Sequence, residues 1–149
     1  MLHDVLGDLF DFQHSLAHCI SSDGKMSLGI ARDFVEKFPN LMKLRNMHLE
    51  VGTVVPVRVG ACYVYNLVTK CKYYNKPSLA AVQYSLCAMR AHALVNNVTN
   101  IGVPLLGAGL DKLDFERGVR PLLQGLFDDA LVDVYIHYVH RDDMPTLHR

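Results

Sequence analysis

A chain of 149 residues, half of them apolar and 20% charged, suits one globular domain with a sizeable core and excludes a disordered polymer. Its 15 basic and 15 acidic residues cancel, which argues against a general electrostatic grip on nucleic acid or anionic membrane, though a local basic patch remains open. Residues 1–10 lack the pattern of a signal peptide, and no run of roughly eighteen apolar residues occurs, so neither secretion nor a membrane span is expected.

The first clear element is residues 16–20 (LAHCI), short and apolar as a buried strand is. Residues 29–38 (GIARDFVEKF) place Ile30, Phe34 and Phe38 on one helical face, and Pro39 ends that helix. A second helix is expected over 40–50, with Leu41, Leu44 and Met47 inward. Residues 53–59 (TVVPVRV) and 62–69 (CYVYNLVT) are rich in β-formers and flank Gly60-Ala61, the pattern of a hairpin. Pro56 cannot donate to a ladder and assigns the first of these strands to a sheet edge. Ser78 reads as an N-cap for a helix running to about Val95. Residues 100–106 read as a strand. Asp114 could cap a helix carrying Phe115, Val119, Leu122 and Leu126, within which Pro121 must either kink the helix or mark its true first turn. Residues 131–139 (LVDVYIHYV) form the last strand, and residues 141–149 a polar, ragged tail beyond a single domain of residues 1–140.

Strands alternating with helices predict a mixed, mostly parallel sheet with helices on both faces. In such sheets ligands bind beyond the carboxyl ends of the strands. Four segments lead there: residues 7–10 (GDLF), 21–29 (SSDGKMSLG), 69–70 (TK) and 107–111 (GAGLD). The glycines of GAGLD permit positive φ and close approach, so its backbone N–H groups could cradle a phosphate; taken alone, an ordinary strand-to-helix turn accounts for it better. The segment 21–29 opens a helix near Gly29, a second possible anion site, or a plain surface loop. Lys70 ends an apolar strand. Composition favours a simple exit into water; the sharper alternative is an anion partner or, if partly desolvated, a nucleophile, with Asp111 as its base. Asp8 fits either a turn cap or an acceptor for a ligand amino group.

Other constellations carry less. His137 and His140 fall on opposite faces of a strand, and no Cys/His set has zinc spacing, so no metal is expected. His18 reads as a hydrogen-bonded core histidine. The four cysteines contain no C-x-x-C pair, which suits reduced thiols in a cytoplasmic or nuclear protein. Residues 70–76 (KCKYYNK) mix lysine with tyrosine, a pattern that can stack single strands but reads first as a solvated loop. No P-loop and no G-x-S-x-G elbow occurs.

Taken in order, GDLF at 7–10, SLAHCIS at 15–21, M-x-x-GIA at 26–31, LVTK at 67–70, KPS at 76–78 and GAGLDKL at 107–113 resemble the macro domain family over nearly the whole chain, from Val5 to about Val139. Within it the chain looks closest to the terminal ADP-ribose protein glycohydrolase branch. The resemblance implies a three-layer α/β/α macro domain that binds ADP-ribose without a cofactor. Asp8 and the Leu9 backbone would meet the adenine. Ser21, Met26, Gly29 and Ile30 would line the pyrophosphate and distal ribose, with Thr69 beside them. Pro104, Leu105, Leu106, Gly107, Ala108, Gly109 and Leu110 would wrap the phosphates. Lys70 matches the branch's nucleophile on the anomeric carbon, and Asp111 the acid that assists it. The resemblance departs at Ser27 and Leu28, where the family often has Gly-Ala, at Leu105, where branch members often have arginine, and at Ala108, where they often have cysteine.

The function implied is an ADP-ribosyl hydrolase acting as a monomer on ADP-ribosylated protein or nucleic acid, with acidic side chains, O-acyl ADP-ribose or nucleobases as the conjugated group. Two alternatives on the same scaffold are an ADP-ribose 1″-phosphate phosphatase and a non-catalytic ADP-ribose reader.

Overall fold

The computed structural model describes residues 1–108 and 113–145. Six strands form one sheet: β1 (Leu2–Leu6), β2 (Ser15–Ser21), β3 (Thr53–Val59), β4 (Cys62–Lys70), β5 (Asn100–Val103) and β6 (Asp133–Tyr138), in the spatial order β1-β6-β5-β2-β4-β3. Every neighbouring pair is parallel except β3–β4. The hairpin is therefore the antiparallel part, and Pro56 lies on the edge strand, where its missing N–H costs no ladder bond.

Strand periodicity divides the interior into two cores. From β2, Leu16 and Ile20 join Val64 and Val68 of β4 beneath helix α1 (Gly29–Lys37), which contributes Phe34 and Val35. The alternate residues, Ala17 of β2 with Tyr65 and Leu67 of β4, face the opposite way. They pack against helix α2 (Leu79–Val95) and helix α3 (Arg120–Leu126), which contribute Val82, Leu86, Met89 and Leu123. A period of two along each strand thus sends successive side chains into separate helical layers. Ser78 caps α2, its hydroxyl accepting the Ala81 N–H at 3.1 Å. No helix among the described residues is long and apolar enough to cross a membrane.

Local departures from the expected elements have physical causes. β1 pairs with β6 at the sheet edge, and its half-buried LHDVL lacks the apolar run that marks a central strand. Residues Pro39–Asn46 form a 3₁₀ helix rather than part of an α-helix; Leu41 and Leu44, three apart, go inward, but Met47 is exposed and Leu49 takes its place. β5 stops at Val103 because Pro104 cannot continue the ladder. Asp114 does cap a helical segment, accepting the Arg117 N–H at 3.1 Å. A π-helical turn over Phe115–Val119 then hands on to α3, and Pro121 sits in the first turn of α3, where its absent N–H is tolerated. The extra residue in the π turn rotates the inward face to Phe115, Val119, Leu123 and Phe127, leaving Leu122 and Leu126 half-buried. After β6 the chain turns through Arg141–Asp143 and buries Met144 against the α2–α3 core.

Candidate functional site

All five parallel strands point the same way, so the ends of β2, β4, β5 and β6 share one edge of the sheet. A cleft of about 730 Å³ opens there. Its floor is Cys19, Ile20 and Ser21 at the end of β2, beside Lys70 at the end of β4. One wall is residues 26–31, running into α1; the facing wall is residues 104–108 after β5; His137, Val139, His140 and Asp143 close the side beyond β6, and Tyr73 stands after Lys70.

Backbone pairing holds the floor in place. Ser21 and Lys70 are register partners, a shift in the ladder falls between Ile20 and Ser21, and the Ser22 N–H donates to the Lys70 carbonyl at 2.8 Å. The end of β4 and the turn leaving β2 are thus one hydrogen-bonded unit, and Lys70, half-buried, is carried on it.

The wall at α1 is suited to negative charge. Leu28 occupies the N-cap and supplies no capping side chain, so the first N–H groups of α1, at Gly29, Ile30 and Ala31 on the cleft wall, lack the usual side-chain acceptor. An anion seated there would accept those hydrogen bonds and meet the positive end of the helix dipole. The facing wall turns on Gly107, whose φ of +76° favours glycine and whose missing Cβ would come within 2.8 Å of the Leu113 side chain. The Leu113 N–H closes this loop onto the Gly107 carbonyl at 2.7 Å.

Two buried histidines flank the floor. His18 on β2 is fully buried, stacked on Phe34 with ring centroids 3.9 Å apart, and its Nε2 lies 2.6 Å from Asn66 Oδ1. Asn66 Nδ2 donates to the Val55 and Val64 carbonyls, so its oxygen is the acceptor and His18 Nε2 carries the proton. Burial pushes the His18 pKa down to about 4, against a smaller opposing effect of the Asn66 hydrogen bond, so the ring is neutral at pH 7. His137 lines the cleft, with Nδ1 2.9 Å from the Tyr135 carbonyl; burial also lowers its pKa.

Of the residues singled out in the sequence, Ser21, Met26, Gly29, Ile30, Lys70, Pro104, Leu105, Leu106, Gly107 and Ala108 all line this one cleft. Asp8, Leu9 and Thr69 do not. Asp8 is exposed and caps a 3₁₀ turn, accepting the Phe10 N–H at 3.0 Å. Leu9 is buried in the core beneath α1. Thr69 is buried one residue before Lys70, its hydroxyl without a hydrogen-bond partner among the described residues. Gly109, Leu110 and Asp111 lie outside the described residues. Tyr73, His137, Val139, His140 and Asp143 join the lining unannounced. The carboxyl-edge rule, applied to the last strand as it was to the others, points to residues 139–143, which composition alone classes as a tail. Among the described residues no group of three His, Cys, Asp or Glu side chains could hold a metal ion.

No family model matches the chain. It is 39% identical over 135 residues to the ADP-ribose glycohydrolase OARD1 of Homo sapiens and 38% identical to that of Bos taurus, with 88% of each chain covered in both comparisons. Its fold superposes on the macrodomain of Thermus aquaticus DarG with a TM-score of 0.82 at 22% identity, covering 93% of this chain and 98% of that one. The Thermosipho africanus DarTG structure in complex with ADP-ribose gives 0.83 at 19% identity, covering 96% of this chain and 44% of that one. A doubly covered, mostly parallel sheet, a cleft at its carboxyl edge and this identity together show that the chain belongs to the macrodomain family, beside the ADP-ribose glycohydrolases named OARD1.

Proposed function

We propose that this chain is an ADP-ribosyl hydrolase with Lys70 as its nucleophile and Asp111 as the acid–base partner. The observation that carries the reading is the position of Lys70 on the floor of the cleft, between the turn at Gly107 and a helix N-terminus whose first N–H groups are suited to phosphate. A diphosphate held by those groups brings the distal ribose toward the end of β4. Asp111 takes a proton from Lys70, whose nitrogen then bonds to the anomeric carbon as the bond from that carbon to the leaving oxygen or nitrogen breaks. The leaving group departs with its electron pair and takes up that proton from Asp111. Water next displaces the lysine, Asp111 accepting the proton that water gives up and passing it back to the lysine nitrogen, and ADP-ribose is released. Splitting the reaction this way replaces one difficult displacement by two easier ones.

The test is release of ADP-ribose from conjugates in the Lys70→Ala and Asp111→Ala variants, with ADP-ribose affinity measured by calorimetry. Lys70→Ala is expected to lower turnover by about 10³-fold or more while affinity changes little. Near-normal turnover in either variant removes that residue from the chemistry. Binding without turnover of any conjugate by the parent chain would make it a reader, and exclusive action on ADP-ribose 1″-phosphate would make it a phosphatase.

A further inference from the structure

We propose that the outer face of α2 is a self-association surface: two copies of this chain pair α2 against α2, antiparallel, about a two-fold axis beside Cys87. The inference is independent of the hydrolase reading, and it departs from the monomer that the family resemblance implies.

Helix α2 is apolar on both sides. Val82, Leu86, Met89 and Ala93 face the core. A helix with one face in a core ordinarily carries charge on the other. Residues 79–95 contain no Asp, Glu or Lys. Their one arginine, Arg90, is engaged sideways, donating to the Leu126 carbonyl at 2.9 Å and to Asp129 at 2.8 Å. His92 is held by the Tyr65 hydroxyl, 2.9 Å from its Nδ1. What faces outward is Ala80, Tyr84, Cys87, Ala91 and Leu94, all exposed, Tyr84 by 69%. Steps of four, three, four and three along the chain keep these five in one seam, opposite the buried stripe, with the period a partner helix requires. Val95, 81% exposed, borders the seam and extends its apolar surface.

The seam is complementary to its own reversal. Laid antiparallel with Cys87 opposite Cys87, Ala80 of one copy meets Leu94 of the other, and Tyr84 meets Ala91. Each large side chain faces a small one, and the match repeats on both sides of the axis, as a two-fold contact requires. That symmetry selects a second copy over an unrelated helix. The electrostatics agree. Antiparallel helices set the positive end of one dipole beside the negative end of the other. Lys76 is exposed just before the Ser78 cap, at the positive end of its own α2, where a cation is disfavoured. In the pair it stands by the C-terminus of the other copy's α2, where a cation is stabilised. The helix has 17 residues and is about 25 Å long, so a contact one helix wide lies at the small end of specific interfaces. The dimer is therefore a reversible one that fills as concentration rises.

The test is sedimentation velocity of the full chain, kept reduced, over a concentration series reaching the millimolar range. A reversible shift from monomer to dimer is expected. Cys87→Glu sets two carboxylates face to face at the axis and should weaken the dimer by about a hundredfold or more. Ala80→Leu sets leucine against Leu94 and should weaken it by about tenfold. Adding Leu94→Ala exchanges the two sizes and should restore the parent affinity. All three positions are exposed, and thermal melts confirm that each variant folds. A second readout locates the axis. Diamide, which takes up the two electrons and two protons released when two thiols join, should link two copies through Cys87 once Cys71, the other exposed cysteine, is replaced by Cys71→Ser. A chain that stays monomeric throughout the series overturns the inference. So does a dimer indifferent to Cys87→Glu, or an Ala80→Leu loss that Leu94→Ala leaves unrepaired.

Discussion

His18 shows how one buried side chain couples this fold to pH. Its imidazole is neutral in the folded chain, with a pKa lowered by burial to about 4, against 6.5 when exposed. Between those values the unfolded chain binds a proton that the folded chain refuses, so stability is complete above about pH 6.5 and falls as pH drops toward 4. The loss attributable to His18 reaches roughly 3 kcal/mol, and His92 and His137, also lowered by burial, act in the same direction. Denaturant melts from pH 7.5 to 4.5 should show this decline, and His18→Leu should flatten it even though that variant starts less stable. Gly24 tests the neighbouring turn. Its φ is +64°, and an added Cβ would stand 2.4 Å from the Leu44 carbonyl oxygen, which is backbone and cannot swing aside. Gly24→Ala is expected to cost roughly 2 kcal/mol or more in thermal or chemical melts, by adding strain and a clash at once.

Among elements, one side-chain network joins β1, α3 and β6. Arg120 makes a two-pronged ion pair with Asp4, 2.9 Å at each prong, and also donates to the Tyr138 hydroxyl at 2.9 Å. Tyr138 in turn donates to Asp4 at 3.1 Å, and Asp4 is only 6% exposed. Removing the guanidinium takes a two-pronged, charge-matched donor from a buried carboxylate, so Arg120→Ala should destabilise the chain by roughly 3 kcal/mol. Replacing both partners by apolar residues of similar size should cost much less, because no uncompensated charge remains. Urea titrations of the single and double variants separate the two cases. The sequence gives little hint of this network: Asp4 and Arg120 are 116 positions apart, and β1 lacks a legible strand pattern. Elements with a strong period or a sharp punctuation mark were legible. Ser78 announced α2 and Pro56 an edge strand, while Pro121 announced either a kink or a first turn, of which the fold takes the second. Residues 40–47 were not, because Leu41, Leu44 and Met47 fit α and 3₁₀ spacing alike, and only the packing under α1 selects the tighter helix.

At the scale of the whole molecule, the cleft exists because the chain departs from β2 and β5 to opposite faces of the sheet, α1 covering one and α2 and α3 the other. Adjacent strands whose connections diverge leave a crevice at their carboxyl ends. Alternation of strand and helix, glycine at the loop after β5 and a lysine ending an apolar strand were all decided by the sequence alone, because these are local: a period, a permitted φ, a residue type at a boundary. The tertiary structure decided the rest. It made Ser21 and Lys70 neighbours through the register of two strands 49 residues apart. It set Asp8 as the cap of a 3₁₀ turn and the Leu9 side chain in the core, and it brought Tyr73, His137, Val139, His140 and Asp143 to the lining. Which distant segments share an edge follows from strand order and hydrogen-bond register. Those depend on how the two apolar faces of the whole sheet are buried at once, and no stretch of local sequence carries that information.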